Sequence, residues 1–305
     1  MNPILYDPIT PKEMAYARKV KCAYRNCPCD AINSHLLQKG RWLKDIAEDG
    51  KVLQMSDDQL QSLIDGDEKG NIYSLLSINK ALSLPIFCQQ HDQKLFKEFE
   101  VKDLELTNEV HFLKLSYRAF CATLAQEKRR NIFYELNPTV NPICSGELFD
   151  EQKRYSDFVV GVFADYMDDM FSHVKSKNAS DYLFQVVRTD RFPICLSDVI
   201  IKEDDLLQCY LNQHQQYRLY PIFVHAIPYE NESVLIMGYD KRQCNRRIEE
   251  QIKRWVNTTD KAKVISEWMV KTNNWCVTPS SFGNDSEAVC ESIFRRKVDY
   301  TFHWN

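Results

Sequence analysis

Two short stretches, CAYRNCPCDAINSH (Cys22–His35) and FCQQHD (Phe87–Asp92), constrain the fold of this chain more than any other part of it. They hold four cysteines and two histidines in polar, loop-like surroundings, where burying several thiols by packing alone has little to recommend it. Zinc takes four thiolate or imidazole ligands in a tetrahedron, and proteins usually supply them as two close pairs. Cys22 and Cys27 make one pair, with Cys29 as an alternative to Cys27. Cys88 and His91 make the other, spaced so that both converge from a turn that opens a helix. The expected ligand set is therefore Cys22, Cys27, Cys88 and His91 around a structural Zn²⁺. The competing reading is ordinary packed cysteines and a surface histidine.

Composition narrows the setting. Eleven cysteines at irregular spacing in 305 residues do not form a disulfide framework, and they suit a reducing, cytoplasmic compartment. Eight glycines and no Gly-rich phosphate loop argue against a nucleotide-binding fold of the common kinds. A net charge of −4 gives no global attraction to nucleic acid or anionic membrane. Any DNA or RNA contact would need a local patch such as Lys128-Arg129-Arg130 or Arg246-Arg247, and short basic runs of this kind are commonly solvated helix ends. No apolar run is long enough to span a bilayer.

Hydrophobic periodicity organises the rest. Trp42, Leu43 and Ile46 make a short helical turn ending at Gly50, followed by strands at Val52–Met55 and within NIYSLLSINKA. Leu95, Phe96 and Phe99 predict a short helix beside His91. From Thr107, Val110, Leu113, Tyr117, Phe120 and Leu124 mark one buried face of a long helix that ends near NPTVNPICSG. A second helix reaches about Ser176. Strands follow at Tyr182–Arg188, Ile194–Ile201, Leu219–Ile227 and Ser233–Tyr239, the last two joined by a hairpin at PYENES. Helices near Asn245–Val256 and Asp260–Val270 close the pattern. The expected architecture is α+β: a zinc module over residues 1–105, a long helix and linker over 106–145, and a mainly antiparallel sheet with packed helices over 146–305.

A cysteine-bearing loop, a hairpin and then C-x2-(C/H) opening a helix resembles a treble-clef zinc finger. Within that superfamily the HNH endonucleases place a histidine after the first pair and a metal-binding residue directly after the second. His35 in INSH and Asp92 in FCQQHD stand at those two places. The resemblance, which covers the N-terminal third, implies a nucleic-acid-cleaving site with His35 as general base and Asp92 as ligand to a Mg²⁺ or Mn²⁺ ion. Asn33, Asn79 or Glu98 would complete the shell. The chain departs from the family pattern: Ser34 precedes His35 where an acidic residue is usual, Asp92 replaces His or Asn, and a long insert separates the halves. INSH…FCxxHD, with NNWCVTPSSF near the end, also resembles a group of bacterial proteins of uncharacterised function. A phage-defence setting is implied by resemblance alone. His35 as a zinc ligand or loop anchor, and Asp92 as a helix-start residue, remain the plainer readings.

Weaker candidates are Ser197-Asp198 with His214 or His225, and the acidic set Asp165, Asp168 and Asp169. Scattered cysteines (Cys121, Cys195, Cys209, Cys244, Cys276, Cys290) read as core. Aromatics Trp268, Trp275, Phe282, Phe302 and Trp304 read as core or a partner surface. The alternative to an enzyme is a non-catalytic, zinc-stabilised recognition or sensor protein that binds a protein partner or a ligand through its C-terminal half.

Overall fold

The computed structural model describes residues 20–55, 73–101, 104–140, 147–211 and 219–281. The chain is α+β, as its periodicity implies. Strand β1 (Ile32–His35) pairs antiparallel with β4 (Ser83–Phe87) in a two-stranded sheet. Between them a π-helical turn at Lys39–Leu43 runs into one α turn, α1 (Lys44–Ile46), and then β2 (Lys51–Met55) and β3 (Tyr73–Ser77). The change of direction at Gly50 is real. Asp49 and Gly50 have φ of 49° and 70°, a left-handed pair that suits glycine and aspartate, and Glu48 and Lys51 exchange backbone hydrogen bonds across it.

Helix α2 (Gln89–Val101) starts directly after β4. Helix α3 (Glu109–Val140) carries past Pro138, so the interruption in NPTVNPICSG begins beyond Val140. The expected single buried face of α3 is too narrow: every residue from His111 to Ala122 is buried. The helix runs through the molecule's interior, with α4 (Glu147–Ser176) and the small sheet against it on one side and the large sheet on the other.

That large sheet is antiparallel with strand order β3-β2-β9-β6-β7-β8-β5, where β5 is Tyr182–Asp190, β6 Ile194–Ile200, β7 Ile222–Tyr229, β8 Glu232–Asp240 and β9 Trp275–Val277. Tyr229 opposes Glu232, and Glu230 takes a φ of 52°, forming the tight hairpin foreseen in PYENES. Both faces are covered. Cys195, Phe223, Ile227 and Ile236 pack toward α3 and α4, while Leu196, Val224, Leu235 and Met237 pack toward α6 (Arg246–Asn257) and α7 (Lys261–Lys271). Strands buried on two faces read as continuous apolar runs, which is why β6 to β8 are plain in the sequence. Side-chain caps start the two helices: Asn245 accepts from the Ile248 amide and Asp260 from the Lys263 amide. A short helix, α5 (Glu203–Leu211), lies between β6 and β7.

Candidate metal centre

The loop from Val20 to Ala31 is folded by its own backbone. Ala31 donates to the Val20 carbonyl (2.9 Å), Cys22 to Cys29 (3.0 Å) and Cys27 to Tyr24 (3.0 Å), with Asn26 in the left-handed region at φ 61°. Ala23 donates to the Ile86 carbonyl (2.8 Å), which ties the loop to β4. Cys88 follows β4 immediately, its amide donating to Cys22 Sγ at 3.2 Å, and His91 projects from the first turn of α2.

These constraints bring together Cys22, Cys27, Cys88 and His91, whose ligating atoms all lie within 4.8 Å of one another. Cys22 Sγ is 3.5 Å and Cys88 Sγ 3.3 Å from His91 Nδ1, and the Cys27 and Cys88 sulfurs are 3.9 Å apart. A tetrahedral ion with Zn–S of about 2.3 Å and Zn–N of about 2.05 Å would have S···S edges of about 3.8 Å and S···N edges of about 3.6 Å. The three observed separations lie close to those edges, so the cluster can hold a metal ion such as zinc. Cys29 is exposed and outside the group. Burial pushes the Cys22 thiol up to about 12, and the Cys29 amide draws the Cys27 thiol down. His91 is lowered by burial and by the nearby Lys94, which leaves its ring a neutral donor of a lone pair.

The sequence reading missed Tyr24, whose ring stacks on His91 and meets Phe171 of α4 edge-on. Its position between Cys22 and Cys27 was the available signal.

His35 ends β1 with Nε2 3.0 Å from the Ile78 carbonyl oxygen, so Nε2 donates and Nδ1 carries the lone pair. Burial lowers its basicity. Asp92 sits in the first turn of α2, near enough to His35 for their charges to interact, and burial raises its carboxyl against the opposing pull of Arg118. Arg118 is fully buried on α3. It bonds Asp92 at 3.3 Å and Glu100 at 2.7 Å, and its guanidinium lies 3.7 Å from the centre of the Phe96 ring. Sequence reasoning passed over Arg118 because a charged residue in a helix reads as solvent-facing. HFLKLSYRAFCATLA holds only two charges, and that scarcity was the sign of burial all round.

Of the supposed companions of His35 and Asp92, Asn33 is exposed on β1 and the other two are otherwise engaged. Asn79 accepts from Lys39 (3.0 Å), and Glu98 pairs with Lys114 and Lys177. Among the described residues, only the Cys22, Cys27, Cys88 and His91 group brings three or more His, Cys, Asp or Glu side chains to metal-binding distance.

Ser197 and His225 do meet, at 3.0 Å, but Ser116 holds the other ring nitrogen at 3.0 Å and all three are sealed between α3 and the sheet. Asp198 is spent on the Val199, Asn273 and Asn274 amides at 2.8, 2.8 and 2.9 Å. No reactant can reach this set, and it serves the core. Asp168 and Asp169 pair with Arg25 and Arg242. Cys121, Cys195 and Cys276 are buried, as are Trp268 and Trp275, whereas Cys209 and Cys244 are partly exposed. His214, Cys290, Phe282, Phe302 and Trp304 lie outside the described residues. No described helix is long and apolar enough to cross a membrane.

No family model, curated protein or solved structure matches this chain.

Proposed function

We propose that Zn²⁺ fills the Cys22, Cys27, Cys88 and His91 cluster as a structural ion, and that the hairpin and helix folded on it carry a phosphodiester-cleaving site for DNA or RNA. The observation that carries this reading is the tautomer of His35. With Nε2–H committed to the Ile78 carbonyl, Nδ1 is the basic nitrogen, and burial keeps the ring neutral near pH 7. That is the state a general base needs to take a proton from water. Asp92 supplies a carboxylate beside it. A divalent Mg²⁺ or Mn²⁺ ion there would stabilise the leaving oxygen. Lys39, which also acts on His35 electrostatically, supports the approach of a phosphate. A role in phage defence rests on the resemblance of the INSH and FCQQHD stretches alone.

One observation favours a second reading, a non-catalytic recognition protein in the cytoplasm. Asp92 is already held by the buried Arg118, so its carboxylate is partly spent before any ion arrives.

Two measurements test the proposal. Elemental analysis should give about one zinc per chain, and Cys88→Ser should lose both zinc and folded structure. His35→Ala should then abolish Mg²⁺- or Mn²⁺-dependent cleavage of DNA or RNA while keeping zinc and melting temperature. Zinc-loaded protein that cleaves no single- or double-stranded substrate establishes the second reading, and loss of zinc from His35→Ala removes the base.

A further inference from the structure

A cavity of about 280 Å³ opens on the far side of the large sheet, between the ends of β6 and β7 and helix α6. Its apolar floor is Ile222, Ile248 and the buried Trp255, with Tyr220 at the mouth. Four cations line it, and they divide into two kinds. Arg254 and Lys271 share the single carboxylate of Glu267, which both of them bond. Lys202 and Arg247 have no side-chain partner among the described residues. The acid in the wall, Glu250, is paired with Arg246. Gln251, one helical turn beyond Arg247, also lines the cavity. Its amide nitrogen is shut off from solvent and has no hydrogen-bond partner among the described residues.

We propose that this cavity binds a small phosphate monoester carried on an apolar body. Lys202 and Arg247, unpaired among the described side chains, match a dianion. The first turn of α6, whose backbone dipole favours negative charge, opens on the same space. Ile222, Ile248 and Trp255 take the apolar part of the ligand. The volume is near the lower end of small-molecule sites, which suits a compact ligand rather than a polymer. The assignment is independent of His35 and of zinc.

Calorimetric titration of the full chain with phenyl phosphate, inorganic phosphate and benzyl alcohol tests it. Phenyl phosphate should bind more tightly than either fragment. Arg247→Glu combined with Lys202→Glu should weaken it roughly tenfold or more, the loss of a charge-assisted bond. Lys253→Glu, on the same helix but outside the cavity wall, should leave binding unchanged. Zinc content and melting temperature control for folding, and Arg247→Gln serves if the double variant fails to fold. Absence of phenyl phosphate binding into the millimolar range overturns the proposal. So does equal weakening by Lys253→Glu, or Arg247-dependent binding of a short oligonucleotide without binding of phenyl phosphate.

Discussion

Tyr24 lies flat on His91, ring centroids 3.7 Å apart and planes within 1°. The contact joins the cysteine loop to the first turn of α2, and Phe171 of α4 closes over the same tyrosine at 4.8 Å. Three separate stretches of chain thus fix the orientation of one imidazole. Tyr24→Ala should cost about 1–2 kcal/mol of stability and loosen zinc retention against a chelator, while Tyr24→Phe keeps both. Equal chelator resistance in the alanine variant and the parent would show that the stack does not orient the ligand.

A metal ion taken up by this cluster would displace protons. Burial keeps the Cys22 thiol protonated up to about pH 12, so zinc binding, as proposed, would release at least that proton. Apparent affinity should fall by about tenfold or more for each unit of acidification below neutrality, read by competition with a chromophoric chelator. A pH-independent Kd would contradict thiolate ligation.

Arg118 is the charged centre of the α2–α3 contact. Replacing it by Met leaves Asp92 and Glu100 without their common cation, at a cost of up to about 3 kcal/mol, tempered by the partial exposure of both carboxylates. The Asp92 carboxyl, already raised by burial, should titrate still higher in Arg118→Met. Carboxyl-resolved NMR titration reads this directly; an unmoved Asp92 would mean the ion pair is electrostatically idle.

His225 has its basicity lowered to about 3 by complete burial, against 6.5 unperturbed. A group depressed in the folded state contributes stability that is complete above pH 6.5 and is lost as pH falls toward 3. The slope from this residue approaches 1.4 kcal/mol per pH unit inside that window. Urea midpoints across pH should therefore decline less steeply in His225→Gln than in the parent, even though the variant is weaker at pH 7.

Gly238 sits in β8 opposite Phe184 and Phe223. A methyl group there would run into the Phe184 ring and come within 2.8 Å of the Leu183 carbonyl oxygen. The ring can move, but the paired backbone resists. Gly238→Ala should destabilise by about 1–3 kcal/mol, seen as a lower denaturant midpoint at unchanged slope.

Much of this architecture is legible in the residues. Strands β5 to β8 and helices α4, α6 and α7 show in their apolar spacing, because each packs a long regular face. The spacing of Cys22, Cys27, Cys88 and His91 is legible for a different reason, since it matches what tetrahedral coordination would require. What escaped are the elements whose shape is set from a distance. INSH and SLPIF are strands because they pair with each other beside the cysteine loop, and SLPIF contains Pro85, a residue that by itself argues against a strand. WCV becomes β9 only because β2 and β6 flank it. Arg118 was hidden because its half-buried partners, Asp92 and Glu100, lie on another helix.

The position of β9 has a consequence for the order in which the molecule is made. Leu53 pairs with Val277 and Gln54 with Cys276, so the β2–β3 hairpin has no neighbour in the large sheet until the chain has been synthesised as far as Val277. Contacts so remote in sequence close slowly, since a long loop must be ordered before they reward it. On the ribosome the cysteine loop, β1, β4 and α2 can all assemble first. The hairpin waits beside them with an open edge, and the last of the described strands to emerge is the one that joins it to the rest of the sheet.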